Sequence, residues 1–501
     1  MRSTILAVFC SALVVSAGLN SAFGGELGAN KFDLLLQYLD HSPAAAGRAA
    51  AGEHYIKQAM ADKAIADAHD AGLAFLRVAV TGYAPSEPGG GNNDLALWQH
   101  DPPAFWVSAD RMFDALDRAG LRLVPSFVWN PAQFPALAHE TLATLIRDPD
   151  SASRRLLARF IGDFIEHYKS RKTILFYELT NELNLYADVD QRKKCRAEPC
   201  AWDNFTTAEL NEFSRDLVRL IKSRDPSRPV TSGYSLPRPA AMHLTRRPQF
   251  GASGPDWTPD TREEMARYLI ATHQPFDIVS VHLYPKREDN RFGLPQNQQY
   301  RLVADASAAA KSAGKPLFIG EFGDTAGATP FMAHVLDEIV RHHVAYAAIW
   351  VWEYYQTSTY QTRNTEPTRY DVEPGYSDDV IALLMQAERR LGHMPPLKAP
   401  GEPPRVVLTW PLPCAAVDRP FEVAAVASDG ATAVKSVEFL VNGKALGSVS
   451  APPYKTRFDP AGQGSRTADF AARAVGGSGT AAEFHSMVRL NDAPGPCTVP
   501  P

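Results

Sequence analysis

The sequence predicts a (β/α)8 barrel followed by a small all-β sandwich. Two features predict it: apolar runs alternate with amphipathic segments up to about residue 397, and shorter runs with turn residues follow. At 501 residues and 45% hydrophobic, the chain has enough apolar content for both cores. Its net charge of -5, without a block of like charge, argues against general electrostatic binding of nucleic acid or anionic lipid.

The first 24 residues have the pattern of a signal peptide. A basic start at Arg2 precedes an apolar run over residues 5–19, and Ala22-Phe23-Gly24 supplies small residues for cleavage. The run is short for a membrane span. We therefore expect residues 1–24 to be removed and the mature protein to be secreted or periplasmic in a bacterium. The alternative is a buried helix or an uncleaved anchor.

Residues 25–397 have the pattern of eight βα units. Seven runs are apolar nearly throughout, as strands buried on both faces are: 75–80, 121–129, 174–180, 229–234, 278–284, 317–322 and 348–354. A weaker run at 32–36 completes the eight. Helical patterns lie between them, such as 111–119 before Gly120. Alternating strands and helices predict a parallel sheet closed as a barrel, with an open doubly wound sheet as the alternative.

The pattern of apolar and polar residues changes after a Pro- and Gly-rich linker at residues 398–404. Residues 405–495 contain short alternating runs at 406–408, 421–426 and 436–441, and Asn442-Gly443 marks a tight hairpin turn. This pattern predicts a β-sandwich. Its sequence has no obvious aromatic strip, which favours a spacer over a sugar-binding module.

Four cysteines remain after removal of the signal: Cys195, Cys200, Cys414 and Cys497. An even number in an oxidising compartment favours disulfides, and local pairing as Cys195–Cys200 and Cys414–Cys497 is the simplest of three connectivities. Four free thiols are the alternative. Zinc is disfavoured because no CxxC or HxxxH spacing accompanies them.

Glutamates occupy the ends of two predicted strands. Glu182 follows the fourth strand and Glu321 ends the seventh. Active sites of (β/α)8 barrels lie at the carboxyl ends of the strands, and paired carboxylates cleave glycosidic bonds. A lone buried glutamate is more often half of an ion pair, which is our interpretation of Glu178. The two strand-end glutamates together predict a catalytic pair.

Residues from about 30 to 395 resemble clan A glycoside hydrolases, most closely glycoside hydrolase family 5. The resemblance rests on Asn181-Glu182 and on the segment 319–323 around Glu321. It implies that Glu182 is the acid/base, that Glu321 is the nucleophile and that Asn181 binds the sugar 2-hydroxyl. Proximity to the charge of Glu321 is expected to raise the pKa of Glu182.

Further positions agree with the family pattern. The resemblance implies that Arg77 steadies the nucleophile, that His282 contacts the substrate or the acid/base, and that Tyr284 hydrogen-bonds the nucleophile. On the eighth strand, Trp350 and Trp352 are expected to point the same way by strand alternation. We favour Trp352 as the aromatic platform because it lies nearer the rim. No cofactor or metal is expected.

The C-terminal module resembles bacterial immunoglobulin-like domains that are appended to secreted glycosidases. Residues 437–447 carry the hairpin sequence of those domains, and Ala451-Pro452-Pro453-Tyr454 continues the match. The resemblance implies an immunoglobulin-like sandwich at the C-terminus.

Two departures from the family pattern bear on the substrate. Trp129 and Asn130 stand at the end of the third strand, where many family 5 cellulases carry a histidine, and Leu183 replaces the proline that often follows Asn-Glu. Trp129 and Asn130 are therefore candidate substrate-binding or supporting residues. The chain looks less like a standard endo-cellulase and closer to mannanase-type branches, and mannan against glucan stays open.

Together these patterns predict a monomeric, secreted, retaining β-glycoside hydrolase. It would cleave a β-linked polysaccharide or oligosaccharide by double displacement, with endo action of the mannanase or glucanase kind. The alternatives are an exo-acting clan A β-glycosidase and a non-catalytic carbohydrate-binding protein. An adhesin would be expected to carry more than one sandwich repeat.

Overall fold

The computed structural model describes residues 25–39, 48–81, 94–195, 199–285, 290–324, 329–354, 371–394, 401–430, 433–464, 466–491 and 493. The predicted signal peptide and residues 398–400 of the predicted linker lie outside these ranges. Within them, no helix is long and apolar enough to cross a membrane. The boundaries predicted for the signal peptide and the linker therefore stay predictions.

Eight parallel strands form the barrel. They are β1 (Glu26–Asn30), β2 (Phe75–Ala79), β3 (Arg122–Val128), β4 (Tyr177–Thr180), β5 (Val230–Thr231), β6 (Val279–Leu283), β7 (Leu317–Phe322) and β8 (Tyr346–Ile349). Their order in the sheet is β5-β4-β3-β2-β1-β8-β7-β6. A parallel bridge from Thr231 to Ile278 brings the two edges together, so the sheet is nearly closed. The predicted barrel is confirmed.

The first strand lies earlier in the chain than the sequence pattern indicated. The run at 32–36 was expected to be a strand, but Leu34–Tyr38 is helical, and β1 pairs with β2 and β8. The prediction was wrong because Leu34 to Leu36 are apolar on a short, fully buried helix, where a run of leucines fits as well as in a strand. Gly28 instead leaves room where β1 lies against Phe75, since a Cβ there would come within 2.5 Å of the Phe75 carbonyl oxygen.

Helices surround the barrel. Among the described residues they are α1 (Leu34–Tyr38), α2 (Arg48–Asp70), α3 (Asp94–His100), α4 (Pro102–Ala119), α5 (Gln133–Leu137), α6 (Leu142–Arg147), α7 (Ala152–Tyr168), α8 (Thr207–Arg224), α9 (Ala241–Arg246), α10 (Arg262–Thr272), α11 (Leu302–Ser312), α12 (Thr329–Arg341) and α13 (Asp378–Leu391). Local sequence sets their ends: Thr206 and Glu209 form a capping box at α8, and Gly120 ends α4 with φ 69°.

The sandwich has two sheets. Its strands are β9 (Arg405–Trp410), β10 (Ala416–Val417), β11 (Phe421–Ser428), β12 (Ser436–Val441), β13 (Lys444–Val449), β14 (Tyr454–Phe458), β15 (Arg466–Val475) and β16 (Ala481–Leu490). They form a five-stranded sheet, β10-β16-β15-β12-β13, and a three-stranded sheet, β14-β11-β9. Asn442 and Gly443 take positive φ in the β12–β13 hairpin, as the sequence predicted.

The sandwich packs against the barrel through α2. Ile56 and Met60 on that helix form a buried apolar cluster with Val407, Leu412 and Val426 of the sandwich. Beside this cluster, Arg405 donates hydrogen bonds to two aspartates of α2. The module is therefore in contact with the barrel over both apolar and charged surface.

One predicted disulfide is present. Cys195 and Cys200 are bonded, with their Cα atoms 5.6 Å apart, in the segment that follows β4. Cys497 lies outside the described residues, so the pairing of Cys414 with Cys497 stays a prediction.

Candidate active site

Glu182 and Glu321 lie at the same end of the barrel. Glu182 follows β4 with φ 50° and precedes a one-turn 3-10 helix, Leu183–Tyr186. Glu321 lies on β7, which is separated from β5 and β4 by β6. His282 on β6 lies between them: its Nδ1 is 3.1 Å from Glu182 Oε1 and 3.4 Å from Glu321 Oε1. One oxygen of each carboxylate and the imidazole nitrogen all lie within 4.8 Å of one another.

Glu321 is held by two donors. Nη1 of Arg77 lies 2.8 Å from Oε1, and the hydroxyl of Tyr284 donates to Oε2 at 2.6 Å. The side chain of Glu321 is only 6% exposed, whereas that of Glu182 is 29% exposed. Glu321 is thus fixed at the bottom of the site, and Glu182 faces its opening.

The guanidinium of Arg77 is fully buried. Besides Glu321, it donates hydrogen bonds to one carboxylate and to two side-chain amides. Nε and Nη2 contact Glu178 at 2.7–3.0 Å, Nη1 donates to Asn30 Oδ1 and Nη2 donates to Asn181 Oδ1, both at 2.8 Å. Its pKa is raised because these carboxylates outweigh burial. Glu178 is the structural partner that the sequence indicated. Asn30 was not singled out, because β1 was predicted further along the chain.

His282 is fixed from two sides. Nδ1 faces the two carboxylates, while Nε2 is buried with no hydrogen-bond partner within the described part of the chain. That nitrogen lies against Gly320, where a Cβ atom would come within 2.7 Å of it. Gly320 therefore provides the space that the imidazole needs between β6 and β7.

The pKa values of the two carboxyls shift in opposite directions. Burial raises the pKa of Glu321, and the charges of His282 and Arg77 offset this only in part. Burial also raises the pKa of Glu182, but the hydrogen bond and charge of His282 outweigh it and lower the pKa. The sequence led us to expect a raised pKa for Glu182. The expectation differs because His282 contacts Glu182 directly, which strand assignments alone did not reveal.

An aromatic cluster lines one side of Arg77. Phe32 stacks on Trp129 and on Trp350, with ring centroids 5.4 and 5.1 Å apart, and Tyr354 lies 4.8 Å from Phe32. The guanidinium of Arg77 lies 4.7 Å over the ring of Trp129. Trp129 thus lies beside the site, whereas Phe32 and Trp350 were not among the predicted site residues.

Trp352 does not line the site, and its prediction as the platform is wrong. It is fully buried, and its indole N–H donates to the carbonyl of Ala64 on α2, on the outer side of the barrel. The alternation that placed Trp352 with Trp350 assumed a continuous strand. Regular β8 ends at Ile349, and Trp352 only bridges Val372.

Asn130 supports its own loop. Its Oδ1 accepts a hydrogen bond from the backbone N–H of Ala132 at 3.1 Å, just before α5. Asn130 is half-buried at the end of β3. The contact orders the turn that carries Trp129 to the rim.

Among the residues that the structure describes, two groups of side chains have ligand atoms close enough for a metal ion. In Glu182, His282 and Glu321, the guanidinium of Arg77 already contacts the shared carboxylate oxygen, which disfavours a further cation. The second group is His243, Asp260 and Glu264. There Glu264 caps α10, and Asp260 accepts from the N-terminus of α9, so both carboxylates have structural partners.

The family comparison agrees with this geometry. Residues 139–356 match the family model described as Cellulase (glycosyl hydrolase family 5). The barrel is a glycosyl hydrolase family 5 domain. The protein is accordingly a glycoside hydrolase of clan A, and its substrate is a polysaccharide or an oligosaccharide. Residues 404–471 match the model of the bacterial Ig domain, so the family 5 barrel is followed by an immunoglobulin-like module.

Solved structures of similar fold include two mannanases. An endo-β-1,4-mannanase from Thermotoga petrophila is 14% identical, with a TM-score of 0.51, and the match covers 94% of this chain and 99% of that one. An endo-1,4-β-mannanase from Rhizomucor miehei is 13% identical, with a TM-score of 0.48 and coverage of 74% and 95%. At these identities the similarity shows the fold alone. No curated protein matches this chain by sequence.

Proposed function

We propose that this family 5 protein is a secreted, retaining β-glycoside hydrolase that cleaves a β-linked polysaccharide or oligosaccharide by double displacement. The observation that carries the proposal is the approach of the two carboxylates to a shared imidazole, with one oxygen of each within 4.8 Å of the other. Retaining enzymes hold their carboxyls about 5–5.5 Å apart, whereas inverting enzymes leave room for a water between them.

Glu321 is the proposed nucleophile. An oxygen of its carboxylate attacks the anomeric carbon while the bond from that carbon to the leaving oxygen breaks, which gives a covalent glycosyl-enzyme. The charge of Arg77 and the hydroxyl of Tyr284 favour the ionised carboxylate. These donors also fix its direction, so that the attacking oxygen needs little reorganisation.

Glu182 is the proposed acid and then base. Its carboxyl donates a proton to the leaving oxygen in the first step, and its carboxylate takes a proton from water in the second. The side chain of Glu182 is 29% exposed. A sugar bound over it would bury it further, and this added burial raises the pKa of Glu182 toward the protonated form that the first step needs.

Asn181 and the aromatic cluster are the proposed sugar-binding groups. Oδ1 of Asn181 accepts from Arg77, which leaves its amide N–H groups to donate to the sugar 2-hydroxyl. The partly exposed Trp350 offers apolar surface for a pyranose ring beside the nucleophile, whereas the buried Trp129 packs on Arg77. Trp350 takes the platform role that we had expected of Trp352.

We propose endo action of the mannanase or glucanase kind. The Thermotoga petrophila structure with the same barrel is an endo-β-1,4-mannanase, which favours mannan as the first substrate to test. Secretion is supported by the signal pattern of residues 1–24 and by the Cys195–Cys200 disulfide, which persists in an oxidising compartment.

Replacement of the nucleophile tests the proposal. Glu321→Gln should abolish turnover on mannan and glucan substrates, because the amide cannot form the glycosyl-enzyme, while thermal unfolding changes little. Wild-type protein treated with a slow fluoroglycoside should gain the mass of one glycosyl group on the peptide that contains Glu321. Full activity of the variant, or the absence of that adduct, would disprove the mechanism.

Product analysis on a polysaccharide panel tests the mode of action. A mixture of oligosaccharides from mannan or glucan supports endo action. Release of a single monosaccharide would instead support the exo-acting alternative, and binding without products would support the non-catalytic one.

A further inference from the structure

A cavity of about 400 Å³ lies beyond Glu182, outside the pair of glutamates. It is lined by the segment that follows β4 and by residues before and after α9, among them Tyr186, Lys194, Arg238, Gln249 and Trp257. The Cys195–Cys200 disulfide lies next to Lys194 and restrains this wall. The cavity is therefore formed by elements that the fold holds in place.

Two cations face this cavity without an acidic partner. Neither Lys194 nor Arg238 forms a salt bridge with any residue that the structure describes. The ammonium of Lys194 lies 3.9 Å from the ring centroid of Tyr186 and 4.2 Å from that of Trp202. Arg238 donates to the carbonyl of Leu185, and its buried Nε has no partner among those residues.

Asp190, an acidic residue in the cavity lining, already has partners of its own. Asp190 accepts from the backbone N–H of Arg192 and lies 3.8 Å from the ammonium of Lys193. The cations of Lys194 and Arg238 destabilise each other: burial and the charge of Arg238 lower the pKa of Lys194 to about 8. An anion in the cavity would attract both cations and so offset the cost of their burial and their mutual repulsion.

The remaining lining groups suit a sugar ring. Trp257 is 48% exposed, an unusual exposure for a tryptophan, so its indole offers a free face. Gln249 accepts from Asp190 N–H through Oε1, which leaves its amide nitrogen free to donate to a hydroxyl. Aromatic faces with nearby polar donors are typical of carbohydrate sites.

The cavity lies on the side of the leaving group. Tyr186, on its wall, belongs to the one-turn helix that starts directly after Glu182, and burial and the charge of Glu182 raise the pKa of Tyr186. In the proposed reaction Glu182 protonates the leaving oxygen, so the leaving sugar occupies its side of the site.

We propose that this cavity binds a carboxylate-bearing sugar unit, such as a uronic acid, on the leaving-group side of the substrate. Lys194 and Arg238 bind the carboxylate, and Trp257 packs on the ring. The position relative to the cleaved bond rests on the proposed function, whereas binding of the sugar acid does not. The expected substrate is then a β-glycan that carries acidic units.

Calorimetric titration of the full chain tests the proposal, with sodium glucuronate, glucose and sodium sulfate as probes. Glucuronate should bind at least about tenfold more tightly than either glucose or sulfate, since charge-assisted contacts and ring packing add. Lys194→Met should weaken glucuronate binding by about tenfold or more. Lys169→Met, the control on an exposed lysine that pairs with Glu166 and is not part of the cavity lining, should leave binding unchanged.

Three results would overturn the proposal. They are equal binding of glucose and glucuronate, sulfate binding as tight as that of glucuronate, and no effect of Lys194→Met. If Glu321→Gln loses turnover but the wild-type chain does not bind glucuronate, the proposal for the cavity is wrong and the proposed reaction stands. If the wild-type chain binds glucuronate but Glu321→Gln stays active, the proposed reaction is wrong and the binding of the sugar acid stands.

Discussion

At the scale of single residues, Arg77 organises the site. One buried guanidinium contacts Glu178, Glu321, Asn30 and Asn181, so its charge is fully compensated inside the barrel. Removing one partner of a buried ion pair leaves an uncompensated charge, which is strongly destabilising. Glu178 therefore serves to hold Arg77, and Arg77 in turn holds Glu321 and Asn181 at the positions that the reaction needs.

The role of Glu182 predicts a dependence on the leaving group. Glu182→Gln should slow cleavage of unactivated β-glycosidic bonds by about 10²–10⁴-fold, the usual contribution of general acid catalysis. Aryl glycosides whose phenol departs without a proton should lose much less in their glycosylation rate. Pre-steady-state rates on a series of aryl leaving groups check this, and equal losses across the series would contradict the acid role.

Glu388 on α13 predicts a pH-dependent stability. Burial raises the pKa of its carboxyl to about 8, although the backbone N–H of Leu27 donates to it. The folded protein then binds more protons than the unfolded chain between about pH 4.5 and 8, so this group makes stability fall as pH rises through that window. Glu388→Gln, which keeps an acceptor, should match the wild type at low pH and be the more stable at pH 9.

Denaturant unfolding at several pH values measures this difference. Glu263→Gln is the control, because the Glu263 side chain is 82% exposed and should show no such trend. A constant difference between the Glu388 variant and the wild type from pH 5 to 9 would contradict the prediction.

At the scale of elements, the register of β7 against its neighbours positions the catalytic groups. The pairing of β6 with β7 shifts between Val281 and His282, and that of β7 with β8 shifts between Ile319 and Phe322. Irregular pairing of this kind re-aims side chains next to active sites. Gly320 lies within the shift, and the absence of its side chain gives His282 its place.

Gly320→Ala tests this arrangement. The new Cβ would lie 2.7 Å from His282 Nε2, so the ring must move away from the two carboxylates. We expect kcat to fall by about tenfold or more, the cost of misplacing a catalytic group, with a smaller change in KM. Gly162→Ala is the matched control, since a Cβ there meets nothing within 4 Å on α7 and should stabilise the helix by about 0.5–1 kcal/mol. Unchanged kcat in Gly320→Ala would contradict the positioning role.

At the scale of the whole molecule, the sandwich is joined to the barrel through α2. Asp67 accepts from Arg405 and Ser428 of the sandwich and also from Lys63, which contacts Glu353 just after Trp352. A chain of charged side chains thus links the segment after β8 to the C-terminal module. The sandwich is therefore fixed to the barrel by direct contacts, and its role as a spacer stays a prediction.

Arg405→Met tests the junction. It removes the partner of two aspartates on α2, Asp67 and Asp70, at 2.7 and 2.8 Å. Breaking a buried pair from one side should cost about 3 kcal/mol of unfolding free energy. Arg419→Met, whose parent side chain is 85% exposed, should cost almost nothing. Equal melting of both variants would show that the charged junction contributes little.

The catalytic candidates were the most predictable part of the site. Glu182, Glu321, Arg77, His282 and Tyr284 each lie at or beside the end of a strongly apolar strand. They meet around the two carboxylates: His282 contacts both, and Arg77 and Tyr284 contact Glu321. Parallel strands of a barrel bring such positions together whatever the loops do. Residues beyond regular strands were less predictable, as Trp352 shows, because side-chain alternation applies only while the strand continues.

The sequence by itself determined the barrel, the sandwich, one disulfide and the two strand-end glutamates, because each follows from local periodicity or spacing. The tertiary structure decided the first strand, the turning of Trp352 away from the site and the pKa order of the two carboxyls. It also determined that Lys194 and Arg238 face a cavity without a salt bridge to any described residue. These depend on contacts between segments that are far apart in the chain, where burial and neighbouring charge, rather than local pattern, set the energy of each group.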